Sequence, residues 1–465
     1  MKSIAILFGI LALFVFEHSE AGSMQFGPFG SVTLYGPTRS PSAVVLFVSG
    51  DEGWNQGVVD MAQEIAKQNA LVAGIDAAHY LRILRNSKSA CAYPASDFEA
   101  LSKFIQKSLN LPHYIPPVLA GYSSGATLVY ATIVQSPPNT FAGAVTLGFC
   151  PDLQIARKFC KGYGLESKTE SLGHGIVFLP ATEIHAPWIA IQGQVDRTCG
   201  PKAIDSYIKN VKTADVIWLP GVGHGFSTPE KWMPQLHDTF SRLLRHRETV
   251  EQKQRDLRPV EVKDLPLVEV EAQNGSPDKP LAVIVTGDGG WASIDRDIGN
   301  ALAERGIPVV GFNSLQYFWS RHTPDETARD VQRVLQHYLT LWHKQKAIMI
   351  GYSFGADVLP FLINRFPQGL QQPITAVALL GPSRTADFEF HLTDWLGGVH
   401  HENDKPVLPE IKKMQQKKIL CLYGEDETDS ICRELKGPQF RPLPIPGGHH
   451  FGGAFRSLAD LILKE

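Results

Sequence analysis

Two serines occupy the same chemical setting at distant points of the chain. Gly121-Tyr122-Ser123-Ser124-Gly125 and Gly351-Tyr352-Ser353-Phe354-Gly355 both fit G-x-S-x-G, a pattern that holds a serine on a sharp strand-to-helix turn with its hydroxyl exposed. A serine hydroxyl is a weak nucleophile until a base takes its proton, and the base needs an acid to orient it. On such a turn the partners follow in the order serine, acid, histidine. After Ser123 come Asp196, within Gly193-Gln194-Val195-Asp196-Arg197-Thr198-Cys199, and His224, within Gly223-His224-Gly225-Phe226. After Ser353 come the acids of Gly424-Glu425-Asp426-Glu427-Thr428-Asp429-Ser430-Ile431-Cys432, then Gly448-His449-His450-Phe451. The intervals from serine to acid, 123 to 196 and 353 to 429, nearly coincide. The chemistry these residues support is acyl transfer through a Ser-Asp-His triad, used twice.

The second copy offers neighbouring choices for two of its members. Counted forward from the glycine that closes the strand, Asp196 aligns with Glu427; counted back from the cysteine, it aligns with Asp429. We take Asp429 as the orienting acid, with Glu427 the alternative and Asp426 a third choice. The His-x-Phe pattern of His224-Gly225-Phe226 falls on His449, with His450 the alternative. The working set is therefore Ser353, Asp429 and His449, with Ser123, Asp196 and His224 as a second triad. A developing oxyanion also needs donors aimed at it. The amide of Phe354 at the helix start supplies one, and Gly289 and Gly290 in Asp288-Gly289-Gly290-Trp291 supply the other. The first copy has Glu52 and Gly53 in place of the two glycines. Taken singly, each acid or histidine reads equally well as a solvated loop residue, and Gly289-Gly290 as a tight turn with Trp291 in the core.

The elements that would position these residues are repeated too. Val44-Val45-Leu46-Phe47-Val48-Ser49-Gly50-Asp51-Glu52-Gly53-Trp54 matches Leu281-Ala282-Val283-Ile284-Val285-Thr286-Gly287-Asp288-Gly289-Gly290-Trp291. Each is an unbroken apolar run ending in a Gly/Asp turn, as expected of a strand buried on both faces of a parallel sheet. Helical patterns follow (59–68 and 294–305), then short strands (70–75 and 308–312), then a longer amphipathic helix and the strand before each G-x-S-x-G. Strands alternating with helices give βαβ units. The fold class is α/β: two tandem α/β-hydrolase-like domains, each a doubly wound, mostly parallel sheet. Residues 24–245 and 263–465 form the two domains, and the charged stretch 246–262 reads as the linker.

Lys2, the apolar run Ile4 to Phe16 and the small-residue stretch ending at Ala21 predict a secretory signal over residues 1–21, hence export. That run is short for a membrane span. A net charge of -3 offers no basic surplus for nucleic acid. Of six cysteines, Cys150 with Cys160 and Cys421 with Cys432 are candidate disulfides, buried thiols being the other reading. His400-His401 and His449-His450 lack the spacing of a metal site, so no metal or cofactor is assigned.

The strings Gly351-Tyr352-Ser353-Phe354-Gly355-Ala356-Asp357-Val358-Leu359-Pro360-Phe361, Thr286-Gly287-Asp288-Gly289-Gly290-Trp291 and Gly447-Gly448-His449-His450-Phe451 resemble the AcvB/VirJ family of bacterial virulence-associated proteins. The two-domain layout resembles its AcvB-like members, and the C-terminal half its VirJ-like members. The resemblance implies a periplasmic hydrolase of aminoacylated phosphatidylglycerol, notably lysyl-phosphatidylglycerol, with Ser353 as nucleophile. It also implies a phospholipid substrate at the membrane surface and a link to type IV secretion proteins in some members. In a cap over the second site, Phe388, Phe390 and Trp395 would meet a glycerol or acyl group. Glu389, Asp394, Glu402 or Asp404 would attract a lysyl ammonium. Residues 150–187 hold the same place in the first copy.

Overall fold

The computed structural model describes residues 20–464 apart from 171–174, 258–259, 392–403, 415–416, 429 and 454. Almost all of the expected signal peptide lies outside the described residues, and the first element begins at Glu20. The N-terminal half is built on β1 (Glu20–Phe26), β2 (Gly30–Tyr35), β3 (Ala43–Val48), β4 (Ala70–Ile75), β5 (Val118–Tyr122) and β6 (Gly143–Leu147). A small antiparallel cap of β7 (Asp152–Leu153), β8 (Ser167–Thr169) and β9 (Ile176–Phe178) follows, then β10 (Trp188–Gly193) and β11 (Ala214–Leu219). The large sheet runs β1-β2-β4-β3-β5-β6-β10-β11. Its pairings are parallel from β4 onward, with β1 and β2 antiparallel at one edge.

The C-terminal half repeats this plan without the edge strand. It uses β12 (Leu267–Val270), β13 (Leu281–Val285), β14 (Val309–Phe312), β15 (Ala347–Tyr352) and β16 (Ile374–Leu380), then the short pair β17 (Thr385–Ala386) and β18 (Lys405–Pro406). β19 (Lys418–Gly424) and β20 (Phe440–Ile445) complete it, in the order β12-β14-β13-β15-β16-β19-β20. The central strands β3, β4, β13 and β15 are buried at every position, because helices cover both faces of each sheet. Separate apolar clusters accordingly lie on the two faces of each sheet. Trp54 and Trp291 belong to these cores: each indole lies over a glycine of the neighbouring strand, Gly74 or Gly311, where no side chain would fit. Among the described residues no helix is long and apolar enough to cross a membrane.

The charged stretch read as the linker, 246–262, is largely helical. Helix Met233–Leu257 continues through most of it, and a short 3-10 turn at Val260–Val262 follows. Arg, Glu, Gln and Lys are good helix formers, and no glycine or proline interrupts them before Pro259.

The halves meet along a seam beside the second site. Lys107, on helix Pro94–Ser108, donates to the carbonyl of Trp319 (2.7 Å) and pairs with Glu389 (3.2 Å). The Trp319 indole donates to the carbonyl of Leu111 (2.7 Å), and its ring stacks on Phe390 at 5.6 Å. Tyr114 and Leu315 complete this buried cluster. Removing an indole with so many partners leaves a large void, so Trp319→Ala is expected to cost about 3–5 kcal/mol. A lowered urea midpoint measures it; an unchanged midpoint would show the seam contributes little.

Candidate active site

Both serines sit where the sequence pattern puts them. Ser123 follows β5 and opens helix Ser124–Gln135 with φ 55° and ψ -123°; Ser353 follows β15 and opens helix Phe354–Arg365 with φ 51° and ψ -120°. These angles lie outside the usual L-residue regions. They persist because the elbow is tied on both sides: the Ser123 amide donates to Leu147 O and the Ser353 amide to Leu380 O, at 2.9 and 2.8 Å. The flanking glycines are spatial requirements. A Cβ at Gly121 or Gly351 would strike the first helical turn, and one at Gly125 or Gly355 would strike the carbonyls of β3 or β13.

In the first half His224 Nε2 lies 2.9 Å from Ser123 Oγ, and His224 Nδ1 lies 2.9 Å from Asp196 Oδ2. The other carboxylate oxygen accepts the backbone N–H groups of Thr198 (2.8 Å) and Cys199 (2.9 Å). All three members expected for this triad are therefore together.

In the second half His449 Nε2 lies 2.9 Å from Ser353 Oγ, and His449 Nδ1 lies 2.7 Å from Glu427 Oε1. Glu427, the alternative acid, thus occupies the orienting position for which we took Asp429; Asp429 itself lies outside the described residues. The glycine register explains this correction. Asp196 and Glu427 both donate their amides back to the glycine closing the strand, Gly193 and Gly424. The extra residues of the second loop fall between acid and cysteine, so counting back from Cys432 overshoots. Gly424 N–H donates to Glu427 Oε2 at 2.6 Å, which fixes the carboxylate. Burial pushes its pKa up, but the His449 hydrogen bond, the Gly424 amide and the two nearby imidazoles together hold it below the usual glutamate value.

His450 stands outside the relay. Its Nδ1 lies 2.9 Å from the Tyr352 hydroxyl. Burial, then the neighbouring His449, depresses its pKa. Burial, then Asp295, Asp288 and Glu427, raises that of Tyr352. In the first half Gly225 replaces His450, and Tyr122 instead donates to the carbonyl of His224 (3.1 Å).

The oxyanion assignment is narrowed. Gly290 donates its amide to Gly287 O at 3.0 Å and adopts φ 74°, so it builds the turn and is not a donor to substrate. Gly289 has open space around its Cα, and Phe354 begins the nucleophile helix, so these two remain the candidates.

Sequence reasoning missed one pair of residues. Gly148 and Gly381, each directly after the strand beside the one that leads into the elbow, both adopt φ 62° and face the imidazoles of His224 and His449. A Cβ at Gly381 would stand 2.7 Å from His449 Cε1. Their position after an apolar run was the available clue. Gly381→Ala is expected to lower kcat by about a hundredfold, since small displacements of a catalytic group have that effect. Steady-state kinetics would show it, and near-normal turnover would mean the imidazole is not held there.

The cap residues fare differently. Glu389 is bridged by Lys107 and by Arg321 (3.0 Å), so it serves the seam and not a lysyl ammonium. Phe390 is likewise buried against Trp319, and Phe388 packs on Phe318 and Phe361. Asp394, Trp395 and Glu402 lie outside the described residues, and Asp404 directly precedes β18. The disulfides are Cys91–Cys160, Cys150–Cys199 and Cys421–Cys432. The expected Cys150–Cys160 pair is replaced because Cys160 is hydrogen-bonded at Ala92 O and so lies beside Cys91.

Fold and sites define an α/β protein of serine-hydrolase architecture, with an elbow and a hydrogen-bonded serine, histidine and carboxylate in each half. The chain belongs to the family described as bacterial virulence protein (VirJ), whose model matches residues 42–148 and 279–465. No curated protein matches it. The solved structures it is similar to include the following three. An esterase domain from Rhodothermus marinus is 15% identical, with 46% of this chain and 92% of that one covered and a TM-score of 0.32. A serine hydrolase without lid from Xanthomonas campestris is 16% identical, with 49% and 96% covered and a TM-score of 0.32. A dienelactone hydrolase assignment from Klebsiella pneumoniae is 14% identical, with 48% and 94% covered and a TM-score of 0.34.

Proposed function

We propose that the C-terminal half is a periplasmic serine esterase that hydrolyses the aminoacyl ester of aminoacylated phosphatidylglycerol, lysyl-phosphatidylglycerol in particular. The observation carrying the esterase reading is the unbroken relay from Ser353 through His449 to Glu427. Ser353 Oγ attacks the ester carbonyl carbon while His449 Nε2 takes its proton. The amides of Phe354 and Gly289 receive the oxyanion. On collapse the glycerol oxygen leaves with the proton from His449, and the aminoacyl group stays on Ser353. Water, deprotonated by His449, then releases the amino acid and restores the serine. Glu427 orients the imidazole and stabilises its charged form. The choice of lipid rests on the family resemblance. The N-terminal triad reads as a second esterase centre of different preference, or as a docking domain that retains an older site.

The test is incubation of the purified protein with lysyl-phosphatidylglycerol and with simple acyl esters, alongside a serine-reactive fluorophosphonate. Release of lysine together with labelling of Ser353 supports the reading. Labelling without lysine release leaves an esterase of another substrate, and labelling of neither serine favours a binding protein linked to secretion.

A further inference from the structure

The first site has a neighbour that the second lacks. Cys199 Sγ, in the disulfide to Cys150, lies 3.6 Å from His224 Nδ1, the nitrogen that faces Asp196. One donor atom each from Asp196, Cys199 and His224 falls within 4.8 Å of the other two, and both Asp196 and Cys199 are buried. This is the only such group among the described residues. In the second half Cys432 Sγ faces the carbonyl of Leu422 at 3.8 Å.

We propose that reduction of Cys150–Cys199 converts the acid side of the first triad into a binding site for a zinc-class divalent cation, and that the cation switches that triad off. A dithiol reductant supplies two electrons and two protons, the S–S bond breaks, and Cys150 and Cys199 become thiols while the reductant closes to its own disulfide. Cys199 then loses its proton to bind the metal as thiolate, with His224 Nδ1 and Asp196 Oδ2 as further ligands. Carboxylate, imidazole and thiolate are the ligand types zinc prefers, and its bond lengths of about 2.0–2.3 Å require ligand atoms a little over 3 Å apart. Two of the three separations, 2.9 Å and 3.6 Å, already lie near that spacing, and the third is within 4.8 Å.

The consequence for catalysis follows from the ring. A metal takes the lone pair of Nδ1, so the single proton of the neutral ring leaves the Asp196 side and is carried instead on Nε2, which points at Ser123 Oγ. That nitrogen then donates and cannot accept, so the base is lost. The inhibition step rests on reading Ser123 as a nucleophile; the metal site does not.

The decisive variant is Cys150→Ser in the full chain, which frees Cys199 without reductant and leaves the other two disulfides intact. Titrated with zinc chloride, it is expected to retain one zinc per chain after gel filtration, while the oxidised parent and Cys150→Ser/Cys199→Ser retain none. Fluorophosphonate labelling read at peptide level should fall about tenfold or more at Ser123 on adding zinc, return with chelator, and stay constant at Ser353. An unfolding transition by circular dichroism like that of the parent reports that the variant is folded; if it is lost, zinc binding to the parent treated with a mild dithiol decides the question in its place. No zinc retained by the folded free-thiol form, or equal retention without Cys199, overturns the metal site. Zinc bound with Ser123 labelling unchanged overturns the switch. A Ser123 that is never labelled, with zinc bound, removes the nucleophile reading alone.

Discussion

Replacing Ser353 by alanine is expected to abolish hydrolysis of lysyl-phosphatidylglycerol, whereas Ser123→Ala leaves most of it. Loss of a triad nucleophile removes a factor of about 10⁶ in kcat, so residual turnover should fall below detection. The asymmetry cannot come from the relays, whose serine-to-histidine distances are both 2.9 Å. It comes from what surrounds them. The second oxyanion loop has Gly289 with open space at its Cα, where the first carries Glu52, hydrogen-bonded to Asn55. The family match also spans 279–465 entire but only 42–148 of the first half, which includes Ser123 and omits Asp196 and His224. Lysine release measured for both variants decides it. Full loss from Ser123→Ala, with Ser353→Ala active and both folded, would transfer the activity to the first half.

Glu427→Gln is expected to lower kcat by about 10³–10⁴, while Asp429→Asn changes it little. The amide cannot reliably accept from His449 Nδ1, so the imidazole loses the tautomer in which Nε2 is free to take the serine proton. It also loses the negative charge that stabilises the imidazolium. The size of the effect follows from the 2.7 Å contact and from the Gly424 amide that prevents the carboxylate from turning away. KM should move far less than kcat, because neither atom reaches the bound ester. A severe Asp429→Asn with a mild Glu427→Gln would reverse the assignment.

Both elbows, both histidines and the complete first triad were legible because each is governed by local rules. A strand end, a tight turn and a helix start have fixed residue requirements, and the internal repeat allowed one copy to check the other. The second acid was misread because loops of unequal length have no intrinsic anchor; the backbone hydrogen bond to Gly424, and not the cysteine, sets the count. Gly290 was misread for a related reason. A positive-φ glycine and an amide donor look alike in sequence, and only the bond to Gly287 separates them. Glu389 and the cysteine pairs depend on contacts between residues far apart in the chain, such as Lys107 with Glu389, which no periodicity encodes. The charged stretch after residue 245 was read as the linker from its composition, and the helix that runs on to Leu257 gives that stretch its form.

Ser123 and Ser353 sit in backbone conformations that suit glycine far better than an L-residue. Holding a side chain there costs on the order of 1–3 kcal/mol at each elbow. A glycine at either position would therefore tend to make the protein more stable while removing its hydroxyl. Stability and reactivity are therefore opposed at these two residues. Random substitution under selection for folding alone would drain both serines away, and the first half would be as free to lose its own as the second. The chain bears this strain twice, in a state that folding does not reward, and a hydroxyl oxygen is what each strained elbow presents.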